Sequence, residues 1–350
     1  MIARGRTRIG VIGCGYWGPN LVRNFMVLPG AEVATVCDVN TDRLAHMREL
    51  YPNVATTTDA QAVIEDPLID GIVVATPVGH HFQLARRALE AGKHVLLEKP
   101  MAATVAECAE LNALADLSGL TLMVGHTFLY SNVVRVIKEI MDSGELGDIL
   151  YISSRRLNLG LFQRDINVAW DLAPHDLSMI LYWLGEPPLA VNCQGRTHLT
   201  HDIEVLTTMS LTFASGRFAT VHSSWIDPAK VREMTIVGSQ KMVIYDDTEP
   251  LDKLKIYDKR VEVPPHYDTF AEFNYSYHYG GMAAPYVKQT EPLRVECQDF
   301  LDSMRTGSRP QSCGRKGQVV VEILEAASMS LQAGGARVEI SQAAGTLKVA

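Results

Sequence analysis

Lys99 stands in the tripeptide Glu98–Lys99–Pro100, where the apolar run His94–Val95–Leu96–Leu97 ends. Upstream, Gly13–x–Gly15–x–x–Gly18 follows the run Ile9–Gly10–Val11–Ile12. Downstream, Asp171 and His175 are four apart in Asp171–Leu172–Ala173–Pro174–His175. A lysine, a carboxylate–imidazole pair and a phosphate-cradling turn form a toolkit for alcohol oxidation. One group takes the hydroxyl proton and donors stabilise the developing alkoxide. A dinucleotide on the glycine turn takes the hydride.

Each glycine has its own task. Gly13 makes a tight turn, Gly15 lets the backbone approach a pyrophosphate, and Gly18 lets a helix pack on the strand. The phosphates then rest on unpaired N–H groups at a helix N-terminus. Tyr16 and Trp17 lie inside the same turn and are counted with it as cofactor-binding. Asp38 closes the next strand twenty residues after Gly18. A carboxylate there hydrogen-bonds the adenosine ribose and repels a 2′-phosphate, and Val39–Asn40 offer no arginine to hold one. NAD is therefore expected rather than NADP. The alternative is a plain turn with Asp38 capping a helix.

Thr76–Pro77 follows the strand Gly71–Ala75, and His81 stands near a helix start. This loop either flanks the nicotinamide or is a proline turn beside a solvent histidine. Lys99 faces the ligand crevice at a carboxyl strand end. A cationic nicotinamide would favour a lowered lysine pKa there. The Lys99–Pro100 bond is a candidate for cis. Pro174 suggests a helix starting nearby and running to Gly185, with Asp171 at its N-terminal edge. The Asp171–His175 pair is either a base oriented by a carboxylate or a cap beside a packing histidine. His80, His81, His126, His175 and His201 show no zinc spacing with cysteines, so no metal is expected.

These residues need a frame to bring them together. The first 125 residues alternate short apolar strands (8–12, 32–37, 71–75, 94–97, 120–124) with helical patterns (16–28, 41–51, 80–91, 104–117). Thr41 is a plausible N-cap, Gly92 a C-terminal glycine, and Thr104 with Glu107 a capping box. That order predicts a doubly wound parallel sheet. After a helix at 133–143, a strand candidate at 149–159 opens a different regime, and further candidates at 190–198, 204–213, 217–225, 233–237, 241–245 and 253–257 follow one another without helices between them. They predict a large open, mostly antiparallel sheet. Helices at 293–305 and 316–331 close the chain. The expected division is 1–125 for the NAD-binding domain and 126–350 for substrate binding and oligomerisation. The fold class is thus α/β, with an N-terminal Rossmann sheet and a C-terminal α+β domain.

The formal charge of −8 and the lack of a Lys/Arg-rich stripe argue against nucleic acid as partner. No apolar run approaches the ~18 residues of a membrane span. The basic start, with Arg4, Arg6 and Arg8, is not expected to be a signal peptide, because the apolar stretch after it is short and interrupted by glycines and a tryptophan. The six scattered cysteines read as reduced thiols of a cytoplasmic protein. Arg155 and Arg156 fall on opposite faces of a regular strand, so at most one faces a pocket. They and Arg164 either meet a diphosphate or carboxylate or lie on the surface. Tyr275, Tyr277, Tyr279 and Tyr286 stack on a base or seal a subunit contact, the second being favoured.

With these residues in hand, the chain resembles the Gfo/Idh/MocA family of NAD(P)-dependent oxidoreductases. The resemblance rests on Val11–Gly18, Ala75–Thr76–Pro77 with His81, Gly92–Pro100, and Asp171 with His175. It implies oxidation or reduction of a sugar or cyclitol, and a homodimer or homotetramer built through the C-terminal sheet. It implies Lys99 and His175 as catalytic pair and Asp171 as orienting residue. The cofactor set is then Gly13, Gly15, Tyr16, Trp17, Gly18, Asp38, Thr76, Pro77, His81, Glu98 and Lys99. Within the family the chain is similar to enzymes oxidising C3 of UDP-N-acetylhexosamines or their uronates, through 156–160, 167–175 and 277–280 with Pro285. His126, Arg156, Asn167 and His175 are the substrate candidates on that resemblance. Ala173 departs from the glycine of many relatives. The rival readings are an inositol or free-sugar dehydrogenase, an NAD-dependent glycosidase, and an NAD-sensing regulator without catalysis.

Overall fold

A computed structural model describes residues 5–199, 202–262, 276–340 and 348–349. His201 and Tyr275 lie outside the described residues. The elements begin β1 (Thr7–Ile12), α1 (Gly18–Met26), β2 (Ala31–Cys37), α2 (Thr41–Leu50), β3 (Ala55–Thr57), α3 (Ala60–Glu65) and β4 (Gly71–Val74). They continue with α4 (His81–Glu90), β5 (His94–Leu97), α5 (Val105–Ser118), β6 (Leu122–Val124), α6 (Asn132–Asp142), β7 (Ile149–Leu159) and α7 (Val168–Leu184). Strands β8 (Pro188–Arg196), β9 (Leu206–Phe213), β10 (Phe218–Ser224), β11 (Ile226–Gly238), β12 (Met242–Asp246), β13 (Leu254–Glu262) and β14 (Ser276–Ala283) follow. The chain closes with α8 (Pro292–Thr306), α9 (Gly314–Gln332), β15 (Val338–Glu339) and β16 (Lys348–Val349).

The chain divides into two compact units. One comprises residues 1–131 with 290–325, the other 132–289 with 326–350. The return of 290–325 to the first unit differs from the linear division expected above. Its causes are long-range contacts: Phe300 meets Phe25 edge to face at 6.4 Å, and Tyr130 donates to Asp299 over 2.8 Å.

In the first unit six parallel strands lie in the order β3-β2-β1-β4-β5-β6. All residues of β4 are buried, as expected of a parallel strand covered on both faces. The short elements β3 and α3 escape the sequence reading, because a three-residue strand carries too little pattern. Asn40, not Thr41, caps α2; its side chain accepts from Asp42 N and Arg43 N. The Thr104–Glu107 capping box forms as read.

In the second unit ten strands lie in the order β14-β13-β12-β11-β7-β10-β9-β8-β15-β16. Among the described residues only β7 and β10 pair in parallel; the other neighbours are antiparallel. Helix α7 packs on β7, β9 and β10. It begins at Val168, and Pro174 lies inside it rather than near its start. The Asn167 side chain accepts from Trp170 N, and that cap opens the helix well ahead of the proline. Gly185 ends it at φ 71°.

Candidate active site

The glycine turn is shaped by two close approaches. Gly13 has φ 102°, and a Cβ there would lie 2.5 Å from the Ala75 carbonyl oxygen. A Cβ on Gly18 would lie 2.0 Å from the Gly13 oxygen. Neither position admits a side chain. Trp17 caps α1 without any side-chain hydrogen bond, so no side chain there competes with a phosphate for the first-turn N–H groups. Tyr16 and Trp17 stand edge to face at 5.5 Å, with Tyr16 largely exposed.

Asp38 ends β2 and holds this turn. Its Oδ2 accepts from Cys14 N at 2.6 Å and its Oδ1 from Asn40 N at 2.8 Å. Arg43 Nη1 lies 3.5 Å from Oδ2, and a Cβ on Gly15 would be 4.0 Å from the same nitrogen. An arginine therefore does border the Asp38 carboxylate, although the adjacent Val39–Asn40 offers none. It comes from the first turn of α2, five residues after Asp38, beyond the dipeptide considered. All six cysteines are unpaired and buried. Burial, then the Asp38 charge, pushes the Cys14 thiol up to about 12.

Lys99 follows β5 through a cis Lys99–Pro100 bond, as read. It is half-buried, and its backbone N–H meets Glu98 Oε2 at 3.2 Å. Glu98 itself is buried, and a Cβ on Gly125 would lie 3.2–3.3 Å from its carboxyl oxygens. Burial raises the Glu98 carboxyl to about 7, against the opposing Lys99 charge and the Lys99 N–H. His126, on the next strand end, is 1% exposed with neither ring nitrogen hydrogen-bonded. Burial, then the Lys99 charge, pushes it down to about 3, so it is neutral. Glu296 on α8 is fully buried, and burial followed by the Glu98 charge raises it well above the usual range.

His81 is 1% exposed rather than a solvent histidine. Its ring nitrogens face the carbonyls of Thr76 at 2.8 Å and Pro100 at 2.9 Å.

In the second unit Asp171 and His175 share a face of α7, four residues apart. Trp225 Nε1 donates to Asp171 Oδ2 over 3.1 Å. Trp225 is buried in a cluster with Val168 and Val205, against which Leu172, Ile203 and Ile226 pack. No local signal singles this tryptophan out; only the pairing of distant elements does. On the other side of His175, Asp176 takes a buried bidentate contact from Arg156, with Nη2 at 2.6 Å and Nε at 3.0–3.1 Å. Helix α7 is thus pinned on both sides of His175.

Two of the substrate candidates, Arg156 and Asn167, are engaged within the fold. Arg156 is 5% exposed, with its guanidinium on Asp176. Arg155 points the other way and is exposed, 3.8 Å from Glu233. Strand alternation separates the two as expected, but the inward one serves the core. Asn167 caps α7 with its oxygen and donates Nδ2 to Glu204 Oε2 at 2.9 Å. Both ends of its amide are engaged.

Residues 7–126 match the oxidoreductase family with NAD-binding Rossmann fold, GFO_IDH_MocA. Residues 134–244 match the GFO/IDH/MocA C-terminal domain. An uncharacterized oxidoreductase, YrbE of Bacillus subtilis, is 25% identical over 93% of this chain and 94% of its own. Myo-inositol 2-dehydrogenase of Thermotoga maritima is 24% identical over 93% of this chain and 96% of its own. The solved UDP-N-acetylglucosamine 3-dehydrogenase GnnA of Acidithiobacillus ferrooxidans superposes with a TM-score of 0.78. It is 24% identical and is covered over 99% of its length, with 94% of this chain aligned, and so shares the fold.

Proposed function

The chain belongs to the Gfo/Idh/MocA family, an NAD-dependent oxidoreductase of sugars or polyols, and from that premise we propose that it oxidises C3 of a nucleotide sugar such as UDP-N-acetylglucosamine or its uronate. The observation that carries the reaction class is the glycine turn closed by Asp38, beside a lysine that ends the adjoining part of the same sheet. The dinucleotide, when bound, accepts the hydride.

The chain's own residues do the rest. The α1 N-terminus and the glycine backbone bind the pyrophosphate. Asp38 takes the adenosine ribose hydroxyls. His175 takes the carbinol proton, oriented by Asp171, and Lys99 donates to the same oxygen as charge develops. The likeness of segments 156–160, 167–175 and 277–280 supports the nucleotide-sugar substrate.

A second reading, a free sugar or cyclitol, is favoured by one observation. Arg156 and Asn167, two groups a nucleotide sugar would have used, are engaged within the fold. Turnover of UDP- and dTDP-sugars, hexoses and inositols with NAD, followed by NADH absorbance, separates the two. NADH from inositols but not from nucleotide sugars sinks the first reading. Bond cleavage without net NADH would mark a glycosidase instead. The exposed, stacked Tyr277 and Tyr279 on β14 fit a homo-oligomer, which light scattering tests.

A further inference from the structure

Three turns at the carboxyl ends of the parallel sheet touch one another in series. The Gly13 turn presses on Ala75–Thr76; a Cβ on Gly13 would lie 2.5 Å from the Ala75 oxygen and 3.0 Å from the Thr76 nitrogen. The Thr76 carbonyl lies 2.8 Å from His81 Nε2. His81 Nδ1 lies 2.9 Å from the carbonyl of Pro100, the residue after Lys99. One buried imidazole thus spans the Thr76 loop and the Lys99–Pro100 turn.

Both partners of the ring are carbonyls, which only accept; the neutral imidazole has one N–H and donates to one of them at a time, and only the protonated ring donates to both. A histidine that merely filled core space would need one such partner, not two on separate strand ends. The ring belongs to the first residue of α4, a helix packed on β4 and β5. Its place is therefore fixed from behind as well. Burial presses it towards its neutral form, while the Thr76, Pro100 and Met101 backbone contacts press the other way.

We propose that His81 is a positioning residue, a strut that sets the spacing between the Thr76 loop and the Lys99–Pro100 turn. Through Thr76 it bears on the glycine turn and hence on the dinucleotide. Through Pro100 it bears on the direction of the lysine. The proposal rests on the reading that Lys99 serves hydride transfer.

The two contacts can be removed singly. The amide nitrogen of asparagine falls near the position of Nδ1, and that of glutamine near Nε2. His81→Asn keeps the bond to Pro100 and loses Thr76; His81→Gln does the reverse. For His81→Asn the expected result is NADH binding weakened about tenfold, by fluorescence titration, with kcat at saturating NAD within about threefold. For His81→Gln it is NADH binding within about twofold and kcat lowered about tenfold, as misplacement of a reacting group produces. The substrate is the panel sugar that turns over fastest. A purely structural role would move both parameters together in both variants, and that outcome overturns the proposal. Wild-type behaviour in both, or failure of both to fold, overturns it equally. If only one variant folds, its own split decides. Lys99→Ala in the same assay separates the two ideas. Full activity there sinks the functional reading, whereas NADH affinity reports on the strut without any substrate.

Discussion

Trp225 Nε1 donates to Asp171 Oδ2 over 3.1 Å, and this bond joins the C-terminal sheet to the helix that carries His175. A hydrogen bond to a carboxylate contributes about 1.5–3 kcal/mol. Trp225→Phe keeps an aromatic ring and removes the donor. The expected outcome is a stability loss of about 2 kcal/mol in urea unfolding and a fall in kcat as Asp171 loses its anchor. Unchanged kcat would separate Asp171 from the orientation of His175.

Lys99→Ala and His175→Ala are each expected to lower kcat by roughly 10²–10⁴, the range for removing a positioned proton-transfer group. NADH should bind both variants within a few-fold of wild type, since neither residue holds the pyrophosphate or adenosine. Turnover at the wild-type rate in either variant rules out its role.

Cofactor choice is expected to turn on Asp38 and Arg43. A carboxylate beside the ribose repels a 2′-phosphate, yet a guanidinium lies 3.5 Å from it. Asp38→Asn removes the repulsion and leaves Arg43 to pair with the phosphate. The ratio of kcat/KM for NADP over NAD should rise at least about tenfold. Adding Arg43→Ala should cancel the gain. A gain that survives the second substitution would place the phosphate elsewhere.

Arg156 tests whether the inward arginine serves ligand or fold. Its side chain is 6% exposed and that of Asp176 2%. Removing one partner of a buried pair costs about 3–5 kcal/mol, because the other charge is left unpaired. Arg156→Met alone should lose that much stability. Joined with Asp176→Leu it should recover most of it. A substrate contact would instead raise KM in both and leave stability alone.

What the sequence discloses follows from the range of the interactions involved. The glycine turn, the Thr104–Glu107 box and Gly185 are legible because each is settled within a few residues by sterics or capping. The cis bond before Pro100 was open to suspicion because only proline tolerates it at modest cost. The Arg156–Asp176 pair is not legible because strand periodicity tells which face a residue takes, not what waits there. The capping role of Asn167 is hidden because Pro174 suggests a later helix start, whereas the helix runs through it from Val168. The place of α8 depends on Phe25 meeting Phe300, far apart in sequence, which no local pattern encodes. Trp225 escapes the sequence for the same reason, whereas Arg43 lies only five residues past Asp38, beyond the Val39–Asn40 dipeptide.

Glu98 makes stability depend on pH in a direction that can be worked out. Its ordinary value is 4.5 and burial raises it to about 7 in the folded protein. Between those values the folded state binds more protons than the unfolded one. Stability therefore falls as pH rises through this window and, for this group, is level above it. Glu296 is also raised by burial and acts in the same sense. His126, lowered to about 3, acts oppositely, costing stability as pH falls below 6.5. Both remain when Glu98→Gln is compared with wild type. The variant has no proton to lose at residue 98, and loss of that charge also relaxes Glu296. Its stability relative to wild type should grow between pH 5 and 7.5 by on the order of 2–3 kcal/mol. Urea unfolding of both proteins across that range measures the difference. Parallel curves would mean that the carboxyl beside Lys99 titrates as an ordinary surface acid, against its burial.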